Sequence, residues 1–327
     1  MTYPSLKRFE GKKVPGAALM VIRDGAVVVA EAYGMADLAA NVPCTVKTNF
    51  RLASLTKAFT AMAVLMLAER GALKLDDAVS NYIPGLPDWG RSVTIRQLLA
   101  HMGGVWDYEE LVSTETTVAL KDADVVELLR RKAELYFSAG TAFRYSNTGY
   151  AFLAVVVEAV SGISFASFLR DNIFSPLQMR GTVAFEKGIS TVAHRALGYT
   201  VRDAGVVESD QDLTSSVLGD GGIYSSVSDL FQWDQAFYTG QLVSAAMLPR
   251  AFTPWSKTSD FPDSGYGFGW YLSHRRGVEC QWHYGSTCGF SSWIERYPAQ
   301  KLTVILLANR RDADLGEIAR KIIDEVW

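Results

Sequence analysis

The sequence predicts an α+β fold: one antiparallel sheet built from both termini, flanking helices, and a mostly helical insertion between the two parts of the sheet. Two observations carry this. Runs rich in β-branched and aromatic residues cluster near the N-terminus and again near the C-terminus, whereas the middle carries apolar residues every three or four positions. The expected division places residues 1–80 and 255–327 in the sheet part and residues 81–254 in the helical part. A cleft is expected where the two meet, because pockets form preferentially at such junctions.

Ala17–Ile22 and Ala26–Ala32 read as a hairpin around Arg23-Asp24-Gly25, since Asp-Gly is a strong turn signal. Asn49–Leu52 leads into an apolar helix over Ala58–Leu67, with Ser54 as its N-cap and Gly71 as its stop. Helical spacing marks Val93–His101, Asp122–Ala133, Thr148–Val160, Ser164–Asn172 and Ser228–Tyr238. Pro84-Gly85-Leu86-Pro87 and Ser161-Gly162 punctuate them. Gly267–Leu272, Cys280–Tyr284, Ser291–Tyr297 and Leu302–Ala308 read as strands, and Leu315–Val326 as a closing amphipathic helix. No internal repeat or low-complexity segment interrupts this order.

The composition is that of an ordinary globular protein: 327 residues, 49% hydrophobic and 20% charged. A net charge of -3 without a basic block predicts no nucleic-acid partner. No apolar run reaches the roughly 18 residues a spanning helix needs, so no membrane association is expected. Met1–Lys13 is polar and charged, unlike a signal peptide, which predicts a cytoplasmic chain; an exported chain with its signal removed would read the same way. The three cysteines lack metal-ligand spacing, and neither a metal nor a cofactor is expected. Their odd number argues against a disulfide framework, leaving a Cys280–Cys288 bridge as one open pairing. His101 reads as structural, and His194 and His274 as surface residues. Gly219-Asp220-Gly221-Gly222 lacks the following Lys-Ser/Thr of a phosphate loop and is rejected as one. Oligomeric state is not legible.

Chemistry enters at Ser54-Leu55-Thr56-Lys57. A serine is a poor nucleophile until a base takes its proton. A lysine three residues later on a helix lies one turn along on the same face, within reach of the hydroxyl. Alone the motif also fits a capping serine followed by a solvated lysine. Two further segments separate the readings: Arg144-Tyr145-Ser146-Asn147 and Trp282-His283-Tyr284-Gly285-Ser286.

With these three motifs in this order, the chain resembles the penicillin-recognising serine hydrolases. That superfamily includes class C β-lactamases, D-alanyl-D-alanine carboxypeptidases, D-aminopeptidases and related carboxylesterases. The resemblance extends to Val14-Pro15-Gly16-Ala17-Ala18, Phe50–Lys57, Thr94–Gly104, Gly221–Ser226 and Tyr266–Trp270, and so covers nearly the whole chain.

The resemblance implies Ser54 as nucleophile, Lys57 beside it, and Tyr145 as general base, kept as a phenolate by the lysine's charge. It implies an oxyanion hole from the backbone N–H groups of Ser54 and Ser286. Asn147 is expected to orient Lys57 and the substrate, and Gly285 to let the strand approach the substrate closely. His283 replaces the lysine of the lactamase Lys-Thr-Gly motif; it is expected to be neutral and to orient Tyr145. Tyr284 replaces the hydroxyl residue that helps grip a carboxylate. Trp106 and Tyr224 are taken as aromatics shaping the cleft. The implied substrate is a small ester, amide or lactam. A carboxylesterase is preferred because of His283, the missing export signal and an aromatic-rich cleft. The alternatives are a D-amino-acid peptidase, a DD-carboxypeptidase or a weak β-lactamase, and, in another class, a catalytically silent scaffold.

Overall fold

The computed structural model describes residues 3–203 and 205–327; Met1, Thr2 and Ala204 lie outside the described residues. Eight antiparallel strands form the main sheet: β1 (Ala17–Arg23), β2 (Ala26–Tyr33), β3 (Ser256–Lys257), β4 (Gly265–Tyr266), β5 (Tyr271–Arg275), β6 (Val278–Thr287), β7 (Phe290–Tyr297) and β8 (Leu302–Ala308). Their spatial order is β3-β4-β5-β6-β7-β8-β1-β2. The two ends of the chain thus meet where β1 pairs with β8, Ala17 opposite Ala308 and Arg23 opposite Leu302. The predicted sheet from both termini is what forms.

β1 is apolar from Ala17 to Ile22, and β8 is apolar apart from Thr303, because both faces of the sheet are covered. Ala17, Leu19 and Val21 join one core with the C-terminal helix, whereas Ala18, Met20 and Ile22 join the larger core of the helical side. Among the described residues, five helices reach nine residues or more: α1 (Thr56–Glu69), α2 (Asp122–Arg130), α3 (Asn147–Ser161), α4 (Val227–Ala236) and α5 (Leu315–Val326). Every residue of α1 from Thr56 to Leu67 is buried, as expected of a helix apolar all round. Lys57 is the one charged residue in that stretch.

The element boundaries depart from expectation in places. Val93–His101 is helical only over Ile95–Leu99, behind a capping box made by Thr94 and Gln97. Ser164–Asn172 is a short helix that loosens into a π-turn over Arg170–Phe174. The strand expected at Gly267–Leu272 is instead Tyr271–Arg275, after a turn with Gly269 at a φ of 78°. Cys280 and Cys288 stand near opposite ends of β6, and all three cysteines are free, so the bridge left open in the sequence is ruled out. Among the described residues, no single helix is long and apolar enough to cross a membrane.

Two features position the cleft. β5 pairs with β6 only as far as Trp282, so the far half of β6, His283–Thr287, has one open edge. The one-turn 3-10 helix Ala53–Leu55 packs against that edge, and Ser292 Oγ donates to the Leu52 carbonyl at 2.6 Å. Contact this close requires Gly285: a Cβ there would overlap the Leu52 carbonyl oxygen and Ser292 Oγ, and would lie 3.0 Å from the Ala53 Cβ. A small second sheet ties the same turn to the helical side. Phe50–Arg51 pairs with Ile223–Ser225, which in turn pairs with Val183–Ala184.

Gly285→Ala should therefore destabilise the fold by about 1–3 kcal/mol, since the clash is with backbone rather than a flexible side chain. Thermal unfolding would measure this. A variant that melts with the wild type would show that the strand and the turn can separate freely.

Candidate active site

Ser54 does not cap α1. Thr56 opens that helix, and Ser54 sits in the preceding 3-10 turn with its side chain half-buried. The residue before it, Ala53, has a φ of 50°, a left-handed conformation that side-chain-bearing residues seldom adopt. This strained entry turns the Ser54 hydroxyl out of the helix axis and toward the junction.

Lys57 is fully buried, and its amine reaches three oxygens. It donates to Ser54 Oγ at 3.0 Å, to Asn147 Oδ1 at 2.8 Å and to the Asp220 backbone carbonyl at 3.0 Å. The amine also lies 4.9 Å from the centroid of the Tyr145 ring. Burial lowers the proton affinity of Lys57, while the carboxylates of Asp220, Asp107 and Glu109 pull it back up.

Asn147 is the first residue of α3, and its N–H donates to Asp107 Oδ2 at 2.8 Å. Its side-chain nitrogen donates to Glu109 Oε1 at 3.1 Å. A carboxylate can only accept, so Glu109 fixes which end of the amide faces Lys57.

Tyr145 is half-buried, two residues ahead of Asn147. Burial pushes its phenol well above the usual value, and the neighbouring Ser54 lowers it without reversing this. This direction runs against the phenolate expected from the sequence. The lysine's charge does not outweigh the loss of solvent.

His101 clamps the Tyr145 segment. Its carbonyl accepts from the Arg144 N–H at 3.0 Å, and its Nδ1 accepts from the Ser146 N–H at 3.1 Å. The ring packs 4.2 Å from that of Tyr145. His101 is buried and neutral, its proton affinity lowered by burial and then by Lys57. It positions the site rather than merely filling the core.

His283 is buried and also neutral, pushed down to about 3 by burial and by Lys57. Its neutrality matches expectation, but its partner does not. Nδ1 bonds the Tyr284 carbonyl at 2.7 Å, so it carries the proton, and Nε2 accepts from Tyr266 rather than Tyr145, at 3.0 Å. Tyr284, on the opposite face of β6, packs beside Trp282 and Trp293.

Ser54, Asn147, Asp220, Glu109, Tyr108 and Ser286 line one small chamber of about 50 Å³. A groove of about 460 Å³ adjoins it, sharing Glu109, Thr214, Ser286 and Thr287, and adding Asp212, Cys288 and Arg311. The Ser54 N–H lies at the start of its helical turn, where backbone donors have no intrahelical partner. Ser286 is exposed on the open edge of β6.

Two expected site residues lie elsewhere. Tyr224 is fully buried in the small sheet, its hydroxyl bonded to Gln211 and Arg195 at 2.8 and 3.3 Å. Trp106 stacks on Tyr136 at 4.2 Å and lines neither the chamber nor the groove. The walls here are largely polar and carry both acidic and basic side chains, with Tyr108 the one aromatic among the described lining residues. Sequence reasoning missed Glu109 and Asp220; the acidic run Asp107-Tyr108-Glu109-Glu110 was the available signal for the first. A larger cavity of about 860 Å³, lined by residues between Ser164 and Ser190, contains none of these groups.

A family model described as Beta-lactamase matches residues 7–326. Penicillin-binding protein 4* of Bacillus subtilis (strain 168) is 33% identical over 310 residues, covering 90% of this chain and 68% of that protein. Protein flp of Staphylococcus aureus (strain MW2) is 28% identical over 303 residues, and the chain spans 60% of its length. The octameric penicillin-binding protein homologue from Pyrococcus abyssi superposes with a TM-score of 0.86 at 27% identity, over 96% of this chain and 74% of that one. A D-stereospecific amidohydrolase from Streptomyces superposes with a TM-score of 0.81 at 26% identity, over 96% of both chains. The chain belongs to the Beta-lactamase family and is one of its serine hydrolases.

Proposed function

We propose that the chain works through an acyl-enzyme on Ser54, with Lys57 as the group that takes the serine's proton. The partners of the Lys57 amine carry this reading. Asn147 Oδ1 and the Asp220 carbonyl can only accept, so a lysine that has lost one proton directs its two remaining N–H groups at them. Its lone pair is then left for the one partner able to donate, the Ser54 hydroxyl. Burial of the amine favours that neutral form.

The sequence of steps follows. Ser54 Oγ bonds to the substrate carbonyl carbon as its proton passes to Lys57 Nζ. The carbonyl oxygen takes the negative charge and is met by the N–H groups of Ser54 and Ser286, each worth about 3 kcal/mol in such a site. The carbon–leaving group bond breaks, and the leaving group receives the proton from Lys57 through the Tyr145 hydroxyl. Water then repeats the sequence on the acyl-enzyme, releasing the acid and restoring Ser54. Tyr145 acts here as a proton relay, not as a phenolate base.

The substrate we propose is an amide or ester whose acyl part bears a free ammonium group. Glu109 lines the chamber with Ser54 and Asp212 the adjoining groove, beside the cations Arg51 and Arg311 respectively, and the two carboxylates favour a cationic amine there. Likeness to a D-stereospecific amidohydrolase adds support. A carboxylesterase acting on neutral esters is the second reading. Its support is His283, which as a buried neutral imidazole offers no cation to a substrate carboxylate. Of the aromatic-rich cleft that also favoured it, the chamber walls carry Tyr108 alone among the described residues.

Three measurements test these assignments. A fluorophosphonate should add once to the intact protein and not at all to Ser54→Ala; a mass unchanged in the wild type would point to a silent scaffold. Tyr145→Phe should lower amide hydrolysis by about 10²–10⁴-fold, because an amine must leave protonated, and slow a p-nitrophenyl ester far less. Equal losses on both substrates would give Tyr145 a role before the leaving-group step. Glu109→Gln should raise KM about tenfold for an amino-acid amide, equivalent to about 1.4 kcal/mol, and leave KM for p-nitrophenyl acetate unchanged. A KM unchanged for both would remove the ammonium site and favour the neutral-ester reading.

A further inference from the structure

Asp220 is buried on a four-residue helix, Leu218–Gly221, packed between α1 and α3. Three elements fix that helix. The Asp122 carboxylate at the start of α2 accepts from the N–H groups of Leu218 and Gly219 at 2.8 and 2.9 Å. Thr60 of α1 donates to the Gly219 carbonyl at 2.7 Å, and Arg51 Nε donates to the Gly221 carbonyl at 3.1 Å. The Asp220 carbonyl is the oxygen that receives the Lys57 amine. Its carboxylate Oδ2 accepts from the buried Tyr108 hydroxyl at 3.0 Å.

The titratable groups facing Lys57 are Asp220, Asp107 and Glu109, the phenols of Tyr145 and Tyr150, and the neutral rings of His101 and His283. Those facing Asp220 are Lys57, Asp122, Tyr108, Glu109 and Tyr145, and the Arg51 guanidinium lines the same chamber. Of the three carboxylates around the amine, Glu109 is exposed and Asp107 half-buried. Only Asp220 is buried, so its charge acts through a medium that screens it least. Lys57 belongs to none of the ion pairs among the described residues, so this charge acts through space rather than by contact.

We propose that Asp220 is a positioning residue for the proton: its carboxylate, locked by Tyr108 onto the helix whose carbonyl binds the amine, sets the pH at which Lys57 becomes a base. The inference rests on the reading of Lys57 as proton acceptor. An anion favours the ammonium form, so Asp220, whose own proton affinity burial raises to about 7, holds the amine charged above that pH to a higher value than burial alone would. Removing the anion lets Lys57 lose its proton at lower pH. Because the two groups interact, the observed limb belongs to the pair.

The rate of fluorophosphonate labelling at Ser54, measured against pH, reads this directly. Asp220→Asn keeps volume and an acceptor for Tyr108 but loses the charge. Its ascending limb should move about one pH unit lower, a tenfold fall in proton affinity. Tyr108→Phe should move the limb the same way by less, because Asp220 without its donor holds a proton more readily. It carries the test alone should Asp220→Asn melt too low to assay. A limb unmoved in a folded variant, with the rate lowered equally at every pH, would overturn the inference. Lys57→Arg keeps the two apart. If it loses the limb while Asp220→Asn leaves it unmoved, only this inference fails; if it retains the wild-type limb, Lys57 is not the base and both fail.

Discussion

A lysine amine with no access to water is the constraint around which the site is built. Burying an unpaired charge is among the costliest things a fold can do, and proteins ordinarily answer it with a contact ion pair. This chain does so elsewhere. Arg296 is equally buried and meets Asp234 at 2.6 Å, with Gln281 accepting a second bond. That guanidinium cannot lose its proton, so the pair ties α4 to the sheet and does no more. Lys57 is given neutral acceptors instead, and its carboxylates stand further off. The result is a cation held loosely enough to become a base.

The rest of the site follows from bringing acceptors to that amine. α1 supplies the lysine, the start of α3 supplies Asn147, and the short helix before the small sheet supplies a carbonyl. The nucleophile must then reach the same point from outside the helix, which is why Ala53 takes a left-handed conformation. The sheet edge must come within van der Waals range of that turn, which is why position 285 has no side chain. The sequence suggested that Gly285 makes room for the substrate. The structure shows it making room for the Leu52 carbonyl, so its effect on chemistry is exerted through the nucleophile's own backbone.

Legibility in the sequence tracked how local the signal was. β1 and β8 were readable because a strand covered on both faces is apolar along most of its length, and α5 because a helix with one wet face shows its period. Ser54, Lys57, Tyr145 and Asn147 stand in short motifs that could be picked out by spacing, and the structure brings them together. Tyr224 was misread because a motif neighbour can point into a core as easily as into a cleft, and nothing in the spacing says which. His283 was read correctly as neutral but given the wrong partner, since Tyr266 comes from a strand seventeen residues earlier. Asp220 was passed over because its segment was weighed only as a phosphate loop. Its meaning lies in contacts from α1, α2 and Tyr108, which are remote in sequence.

The exchange of a lysine for His283 has a consequence beyond substrate choice. A second ammonium at that position would repel the Lys57 charge and lower its proton affinity without help from burial. With a neutral imidazole there instead, every formal charge that acts strongly on Lys57 is negative and opposes its deprotonation. Burial is then the sole force producing the free amine, so the seal around it becomes part of the chemistry. That accounts for the ring packing of His101 and Tyr150 against the site and for the absence of a polar gap along α1. Anything that lets water reach the amine would raise its proton affinity and slow the nucleophile, even with every catalytic side chain in place.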